Sequence, residues 1–488
     1  MRAHPHLYEI NTWPWLDALS RTAGHQVTLA TVADREWDRL RDQGMDIVYL
    51  MGIWKRSAFG RRLAQSEPGL FSAFDRAWPD WRAADVAGSA YCIAGYEPDP
   101  RIGTWDDVAA VRAKLHARDM RLVVDFIPNH TGFDHPWIFD EPDRYVQGEE
   151  SAFRKDPVAF RVVETSGDKV RFVACGRDPC FPPWNDVAQL DYSNVDTRAA
   201  MVAELARLAK HADGARCDMA MLVLSDVFGQ TWKDQLKSPM PSVEFWTEAR
   251  AAVPGFMLLA EVYWDLEWRL QQLGFEFTYD KRLYDRMLNA GVSEVRGHLM
   301  ADAQYQRRSA RFIENHDEPR SVPTFGDRLG AAAVTMSSLP GLRFFHQGQF
   351  EGRTRQLPVQ LGRWADETVD GEIARFYDRL LATVDEDVFH AGEWRLLDVH
   401  PSGDDSNADL IAWLWTSGAE CRIVVVNLSA GRAQGHVQIG AGLPECGDTC
   451  MFEDLLDGRH YWWTRMALDR EGLYVRLEKG AAHILKLA

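Results

Sequence analysis

The chain has 488 residues, of which 46% are hydrophobic and 26% are charged, so we expect a globular protein with more than one hydrophobic core. Its formal net charge of −17 argues against nucleic acid and anionic membranes as partners, because both would repel it. No apolar run reaches the roughly 18 residues of a membrane span, and the N-terminus does not resemble a signal peptide. These features predict a cytoplasmic protein.

Cysteine usage favours the same compartment. The seven cysteines are odd in number, and no Cys-x-x-Cys pair is present for zinc. Cys446 and Cys450 lie four residues apart in a Gly-rich turn. We expect free thiols, as is usual for a cytoplasmic chain.

Strand-like and helix-like runs alternate along most of the chain. Apolar runs predict strands at 6–11, 46–51, 121–126, 214–218, 256–261, 274–278, 310–315 and 342–346. Amphipathic runs predict helices at 32–44, 104–119, 196–211, 241–252, 265–273, 281–300, 327–338 and 369–385. This alternation predicts a (β/α)8 TIM barrel formed by residues 1–130 and 191–389.

Two regions depart from the alternation. Residues 131–190 are rich in Pro, Asp and aromatic residues and have no long helical period, which predicts an insertion after strand 3. From 390 to 488 the pattern becomes one of alternating strands, as at 410–415 and 421–427. That pattern predicts a separate C-terminal antiparallel β-sandwich domain.

Polar clusters with carboxylates end four of the apolar runs. The four segments are 124–130, 214–218, 258–264 and 312–317. The C-terminal ends of barrel strands meet at one face, so we expect these side chains to share a site. Pairs of acids in such a place suit the cleavage of a glycosidic bond.

Arg216 and Asp218 are expected to lie on one face of their strand, since side chains alternate, while Cys217 points the other way. A neighbouring cation lowers the pKa of a carboxyl, so Arg216 would keep Asp218 ionised and suited to act as a nucleophile. The alternative interpretation is a structural ion pair.

Glu261 ends an apolar run and is followed by Tyr263 and Trp264. Apolar surroundings raise the pKa of a carboxyl, which suits a general acid; the alternative is an acid near a helix N-terminus. Asp317 adds a third acid beside His316, and the alternative there is a hydrogen bond within a loop. His130 invites the same two interpretations, and no ligand spacing supports a metal site with His316.

The four segments together resemble the conserved regions of the α-amylase superfamily, glycoside hydrolase family 13. Residues 187–194 are similar to the segment near the end of that family's insertion domain. Residues 89–96 and 103–107 are similar to the segment after its second strand. The resemblance extends over the whole chain and implies a barrel, an insertion and a C-terminal β-domain.

The resemblance also implies a role for each matching residue. Asp218 would be the nucleophile that forms a glycosyl-enzyme, Glu261 the acid and then the base, and Asp317 a binder of sugar hydroxyls. The implied outcome is retention of anomeric configuration. The implied substrate-binding residues are Tyr91 stacking under the sugar, Asp125 bracing the site, Arg216 orienting Asp218, His130 and His316 on hydroxyls, and Arg320.

Two departures from the family pattern bear on specificity. Met221 and Leu222 stand where many family amylases carry Lys-His in contact with the sugar on the leaving side. They would either form an apolar lip beside the substrate or pack in the helix after strand four. The usual acid after Tyr91 is also missing, since Cys92 follows it.

The resemblance implies no required cofactor, although a structural calcium ion is compatible with it. Asn129 matches a ligand position of the family. The candidate partner acids in the insertion are Asp178, Asp186 and Asp191.

Three functions are compatible with these features. The first is a retaining hydrolase of α-glucosidic bonds in malto-oligosaccharides or other short α-glucosides. The second is a transglycosidase that passes glucose to an acceptor other than water. The third is a non-catalytic binding barrel, against which the intact set of Asp218, Glu261 and Asp317 argues.

Overall fold

The computed structural model describes residues 1–166, 169–440 and 443–487. Its strands are β1 (His6–Asn11), β2 (Ile47–Met51), β3 (Trp54–Arg56), β4 (Ile93–Pro98), β5 (Arg121–Phe126), β6 (His130–Gly132), β7 (Gln147–Gly148), β8 (Phe160–Thr165), β9 (Lys169–Gly176), β10 (Trp184–Gln189), β11 (Gly214–Cys217), β12 (Met257–Ala260), β13 (Phe277–Tyr279), β14 (Ser309–Arg311), β15 (Leu342–His346), β16 (Glu393–His400), β17 (Leu410–Ser417), β18 (Glu420–Asn427), β19 (Ala433–Gln438), β20 (Thr449–Asp454), β21 (His460–Thr464), β22 (Leu473–Leu477) and β23 (Ala482–Leu487).

The α-helices are α1 (Thr12–Ala23), α2 (Asp34–Asp42), α3 (Ala58–Ser66), α4 (Pro68–Ala77), α5 (Trp105–His116), α6 (Pro136–Asp140), α7 (Glu150–Lys155), α8 (Val195–Leu208), α9 (Ser225–Thr231), α10 (Phe245–Ala252), α11 (Glu267–Gln272), α12 (Lys281–Asn289), α13 (Val292–Leu299), α14 (Ala303–Arg307), α15 (Ser321–Phe325), α16 (Leu329–Ser338), α17 (Gly371–Val384), α18 (Asp387–Ala391) and α19 (Arg465–Glu471). Short 3₁₀ turns lie at Leu29–Thr31, Ala83–Asp85, Pro142–Arg144, Ala220–Val223, Gly326–Arg328 and Ser406–Asp409.

The predicted barrel is confirmed. Within the described residues, eight parallel strands close in the order β1-β15-β14-β13-β12-β11-β5-β2. Every residue of β1, β2 and β15 is buried, which explains their near-continuous apolar sequences, since helices cover such strands on the outside. The seventh strand, β14, ends at Arg311 and not at 315 as predicted, because its pairing with β15 ends there and the chain leaves the sheet before the polar residues are reached.

A small antiparallel sheet follows the third barrel strand. Its order is β6-β10-β9-β7, with β8 paired to β9. The sequence predicted an insertion here without predicting its strands. A second excursion, between β3 and β4, carries the helices α3 and α4 and was not predicted. The domain bounds at 131–190 and 390 stay predictions.

The C-terminal strands form an antiparallel sheet in the order β21-β20-β23-β18-β17-β16-β19-β22. β16 pairs with β17 through its first half and with β19 through its second, so it joins two groups of strands. The apolar side chains of both groups, such as Leu414 and Val475, enclose one core. The opposite face packs on the barrel, where Trp415 Nε1 donates to Ser338 O at 2.7 Å.

The expectation of free thiols is wrong for one pair. Cys446 and Cys450 form a disulfide, and their Cα atoms are 5.4 Å apart. Disulfides are typical of oxidising compartments, so this pair does not support the predicted cytoplasmic location, which stays a prediction. Across the described residues, every helix is too short or too polar to cross a membrane.

Candidate active site

One buried guanidinium contacts three carboxylates at the C-terminal face of the barrel. Arg216 lies at the tip of β11, and its Nη1 is 2.6 Å from Asp218 Oδ1. Its Nη2 is 2.9 Å from Glu261 Oε2, just after β12, and 3.8 Å from Asp317 Oδ2, in the loop after β14. Three segments distant in sequence therefore present their acids to a single cation.

Burial and Arg216 act on Asp218 in opposite directions. Desolvation raises the pKa of Asp218, and the Arg216 guanidinium pulls it down, with the net pKa above the ordinary value. The sequence predicted the contact correctly but predicted a lowered pKa. It gave no measure of burial, and burial of the carboxyl outweighs one ion pair here.

Burial also raises the pKa of Glu261. Desolvation raises it to about 7, against the lowering effect of Arg216 and with a further rise from the Asp218 and Asp317 charges. Its Oε2 accepts a hydrogen bond from Met219 N at 2.7 Å, and its Oε1 accepts one from Tyr263 Oη at 2.8 Å. A carboxyl that is part protonated near pH 7 suits a general acid.

Asp317 stays ionised beside a protonated His316. His316 Nε2 is 3.0 Å from Asp317 Oδ2, and Nδ1 is 2.5 Å from Glu9 Oε1 on β1. Burial opposes protonation of His316, but the two carboxylates hold its pKa well above the ordinary value. Burial likewise opposes ionisation of Asp317, but His316 lowers its pKa to about 2, and 45% of the side chain is exposed to the cavity.

Asp125 lies below the three acids and does not reach the cavity. It is fully buried on β5, opposite Arg216 in the sheet. It accepts hydrogen bonds from Tyr49 Oη and from Gly52 N. Tyr91 lies above it, with its ring stacked on His316 at 5.3 Å and 5.0 Å from the Arg216 guanidinium carbon.

A cavity of about 540 Å³ opens over these groups. Of the residues predicted from sequence, Asp218, Glu261, Asp317, Tyr91 and His130 line it. Its other walls come from both excursions: Leu63, Ala64, Glu67 and Leu70 from α3, α4 and their link, and Trp184 and Asp186 from β10. Burial lowers the pKa of His130 to about 4, so its imidazole is neutral at pH 7.

Left-handed backbone is concentrated beside the acids. Four described residues other than glycine have φ between 44° and 66°, and three of them are Met219, Trp264 and Asp265. Met219 directly follows Asp218, and the other two follow Glu261 by three and four residues. Such conformations are costly for side chains with a Cβ and are typical of functional sites.

A family model described as the α-amylase catalytic domain matches residues 39–158. Curated relatives include α-amylase 3 of Dictyoglomus thermophilum, 22% identical over 303 residues, which are 56% of each chain. Palatinase of Erwinia rhapontici is 24% identical over 67% of this chain and 64% of its own length. These comparisons confirm the predicted resemblance to the α-amylase family.

The chain also has the fold of solved α-amylases. A maltogenic α-amylase from Thermotoga neapolitana superposes with a TM-score of 0.69 over 100% of this chain and 99% of its own, at 18% identity. That degree of identity shows the fold alone. The chain spans between half and two thirds of the length of the curated relatives named above.

Three further residues predicted to bind substrate do not line the cavity. Met221 and Leu222 are buried in the hydrophobic core, in the 3₁₀ turn after β11. They are not an apolar lip, and the packing interpretation fits their position. Arg320 is buried in an ion pair with Glu314, at 2.7 Å, and donates to Gln347 O.

Sequence reasoning missed several residues of the site. Glu9 carries a signal, since a lone acid inside an apolar strand needs a partner, but its partner His316 is 307 residues away. Tyr263 carries one too, because it stands two residues after Glu261, a spacing that puts two side chains on the same side of extended backbone. Met219 and Trp184 carry none that a single sequence reveals.

The residues proposed to hold calcium do not fit that ion. Asn129 Oδ1 and its carbonyl both accept hydrogen bonds from Gln189 Nε2, at 2.8 and 2.9 Å, so an amide donor faces the oxygens that a cation would need. Asp178 accepts from Cys180 N, and Asp191 from Ser193 N. Asp186 faces the cavity.

A different group of potential ligands lies at the opposite end of the barrel. His6, Asp385 and His390 approach one another there, within the described residues. Arg2 Nη1 is 2.5 Å from Asp385 Oδ1, and Arg343 Nη1 is 3.1 Å from His6 Nε2. Guanidinium groups thus contact Asp385 and His6, and their positive charge opposes the binding of a metal cation.

Proposed function

We propose that this protein is a retaining glycoside hydrolase that cleaves α-glucosidic bonds in malto-oligosaccharides or related short α-glucosides. The observation that carries the proposal is the contact of one buried guanidinium with Asp218, Glu261 and Asp317 above a single cavity. Resemblance to the α-amylase family supports the reaction class. The relatives' names, α-amylase and palatinase, support an α-linked substrate.

The proposed reaction is a double displacement. Asp218 attacks the anomeric carbon while Glu261 donates its proton to the departing oxygen, which gives a glycosyl-enzyme. Glu261, now ionised, then removes a proton from water, and the water displaces Asp218. Two different surroundings suit these two roles, because Arg216 bonds Asp218 directly while burial keeps Glu261 part protonated.

The remaining residues are proposed to hold the sugar. The ionised Asp317 and the protonated His316 offer an acceptor and a donor to neighbouring hydroxyls. His130, which is neutral, and the ring of Tyr91 line the same cavity. Asp125 and Arg216 lie beneath and hold these groups in place.

A product assay tests the proposal. Purified protein is incubated with maltose, maltotriose, sucrose, trehalose and isomaltose, and products are separated by chromatography. We expect free glucose or shorter oligosaccharides from at least one substrate, and proton NMR of the early product should show the α-anomer. A first-formed β-anomer would rule out double displacement.

The second candidate is a transglycosidase that uses the same intermediate. The observation that favours it is the apolar part of the cavity wall, where Leu63, Leu70 and Met219 line the same cavity as the acids. Apolar surface can limit water at the intermediate and let an acceptor compete. New, longer oligosaccharides in the same assay would identify transfer, and no product from any substrate would favour a non-catalytic barrel.

A further inference from the structure

The two oxygens of the Glu261 carboxyl have different surroundings. Oε2 accepts the Met219 N–H at 2.7 Å and lies 2.9 Å from Arg216 Nη2. Oε1 has one hydrogen-bond partner among the described residues, the Tyr263 hydroxyl at 2.8 Å. A proton on Oε2 would point at an N–H group and a cation, both of which are donors only. The proton of a neutral Glu261 therefore belongs on Oε1.

The backbone fixes this difference between the oxygens. Met219 has φ 44° and ψ 45°, a conformation that is unfavourable for methionine, and its amide meets Glu261 Oε2 in that conformation. Ala220 N also donates to the Glu261 carbonyl at 2.9 Å, so the segment after Asp218 binds the Glu261 backbone and side chain together.

Left-handed backbone also lies next to Tyr263, whose hydroxyl contacts Glu261 Oε1. Glu261 and Tyr263 are two residues apart in the segment just after β12, and their side chains meet in a hydrogen bond. The two residues that follow, Trp264 and Asp265, are left-handed, with φ 66° and 62°, and turn the chain away at once. Both Glu261 and Tyr263 line the cavity, so the hydroxyl meets Oε1 at the surface where a leaving oxygen would lie.

We propose that Tyr263 is a positioning residue that acts through Glu261: its hydroxyl donates to Oε1, directs the Oε1 proton to the leaving oxygen and stabilises the carboxylate left behind. The inference rests on the proposed glycosidase function. Nothing in the reaction consumes the hydroxyl, which keeps its proton throughout. Burial, with the nearby Glu261 and Asp317 charges, raises the pKa of Tyr263 well above its ordinary value, so it stays a donor.

The sign of the effect on Glu261 follows from the donor role. A hydrogen bond to the ionised form favours that form, so Tyr263 lowers the pKa of Glu261 while burial raises it. The other groups that act on this carboxyl are Arg216, which lowers its pKa, and Asp218 and Asp317, which raise it. His130 faces the same cavity, and its pKa of about 4 leaves it uncharged where Glu261 titrates.

The test compares wild type with Tyr263→Phe on two substrates. Maltose has a poor leaving group that needs a proton, whereas α-glucosyl fluoride releases fluoride with little need of one. We expect Tyr263→Phe to lower kcat/KM on maltose by about 10- to 100-fold, the scale of one hydrogen bond to a charged group, and on the fluoride by less than about 3-fold. The basic limb of the pH profile on maltose should move to higher pH.

Two further variants make the result specific. Tyr474→Phe also removes a tyrosine hydroxyl from a side-chain hydrogen bond, to Gln434 at 2.7 Å in the C-terminal sheet, and should behave as wild type on both substrates. In a Glu261→Gln background, Tyr263→Phe should have little added effect on maltose, because the two residues act as one unit. If Tyr263→Phe does not fold, 3-fluorotyrosine at 263 provides a stronger donor and should move the basic limb to lower pH.

The outcomes distinguish failure of the Tyr263 role from failure of the proposed glycosidase function. Equal losses on both substrates with an unmoved pH limb would overturn the positioning role and leave the glycosidase proposal intact. A full additional loss in the Glu261→Gln background would do the same. Wild-type protein that cleaves neither of these substrates nor any sugar of the product assay would overturn the proposed function and the inference with it.

Discussion

Asp218 and Glu261 contact the same guanidinium, but removing either charge should leave the packing around it nearly unchanged. Asp218→Asn and Glu261→Gln keep the shape of each side chain. We expect kcat to fall by about 10⁴-fold or more in the first and about 10²- to 10⁴-fold in the second, with thermal unfolding still cooperative. Steady-state kinetics and calorimetry measure both quantities.

The matched control for these variants is Asp226→Asn. Asp226 forms an exposed ion pair with Arg269 at 2.8 Å. Exposed ion pairs contribute little to the free energy of unfolding. Asp226→Asn should keep wild-type kinetics. Turnover near the wild-type level in a folded Asp218→Asn variant would contradict the nucleophile assignment.

The pH dependence of kcat/KM should follow the two carboxyls. Glu261 must be protonated to act as an acid, and burial raises its pKa to about 7, so activity should fall as the pH rises through about 7. Asp218 must be ionised, so activity should also fall on the acidic side. On α-glucosyl fluoride, which needs little protonation, the basic limb of wild type should be weak or absent, and a basic limb as steep as that on maltose would assign the limb to another group.

At the scale of residues, the sequence predicts features that depend on neighbours along the chain. It misses contacts between residues that are distant in sequence. Asp218, Glu261 and Asp317 each follow an apolar run, which is visible along the chain. The Glu9–His316 pair joins two strands that only barrel closure makes neighbours. The balance of burial against Arg216 at Asp218 also depends on solvent exclusion, which no spacing of residues reports.

Among the elements, the 3₁₀ turn Ala220–Val223 holds the two side chains for which the sequence allowed either substrate contact or core packing. Met221 and Leu222 are buried there, so Met221→Lys with Leu222→His should destabilise the fold by about 3 kcal/mol or more, because charge and polarity would be buried without partners. Chemical denaturation measures this. Met221→Leu, which nearly conserves volume, should cost less than about 1.5 kcal/mol. A stable double variant with a new preference for long chains would restore the binding role.

The link between β6 and β10 gives a test of metal dependence. Gln189 on β10 bonds Asn129, which directly precedes β6, through its amide nitrogen. We expect a chelator to shift Tm by less than about 2 °C, whereas Gln189→Leu should cost about 1–3 kcal/mol by leaving buried Asn129 groups unpaired. A large fall in Tm with chelator that calcium reverses would show that an ion binds here after all.

The insertion strands mark the limit of prediction for elements. Barrel strands such as β2, β5 and β15 lie in mostly apolar runs of five or six residues, so they could be recognised in the sequence. β8 and β9 alternate weakly and are partly exposed, and β6 and β7 have three and two residues, too few to show a period. Their pairing is set by tertiary contacts.

In the whole molecule, the barrel and the C-terminal sheet share a hydrophobic core. Ile411, Trp413 and Trp415 of β17 pack in the same cluster as the barrel residues. Deletion of residues 393–487 should therefore expose this surface and prevent the barrel from folding as a stable unit. Calorimetry of the full chain should show a single transition. A soluble, cooperatively folded truncation would contradict the shared core.

The helices α3 and α4 enter and leave the fold through one hairpin, in which β3 pairs with β4. They line the cavity with Leu63 and Leu70, yet they carry none of the three acids that Arg216 contacts. The segment between β3 and β4 is therefore a separable part of the cavity wall. Its length and apolar content can change while the reacting groups stay on the barrel. Substitutions in these helices can therefore reshape the cavity while Arg216 and the three acids keep their positions.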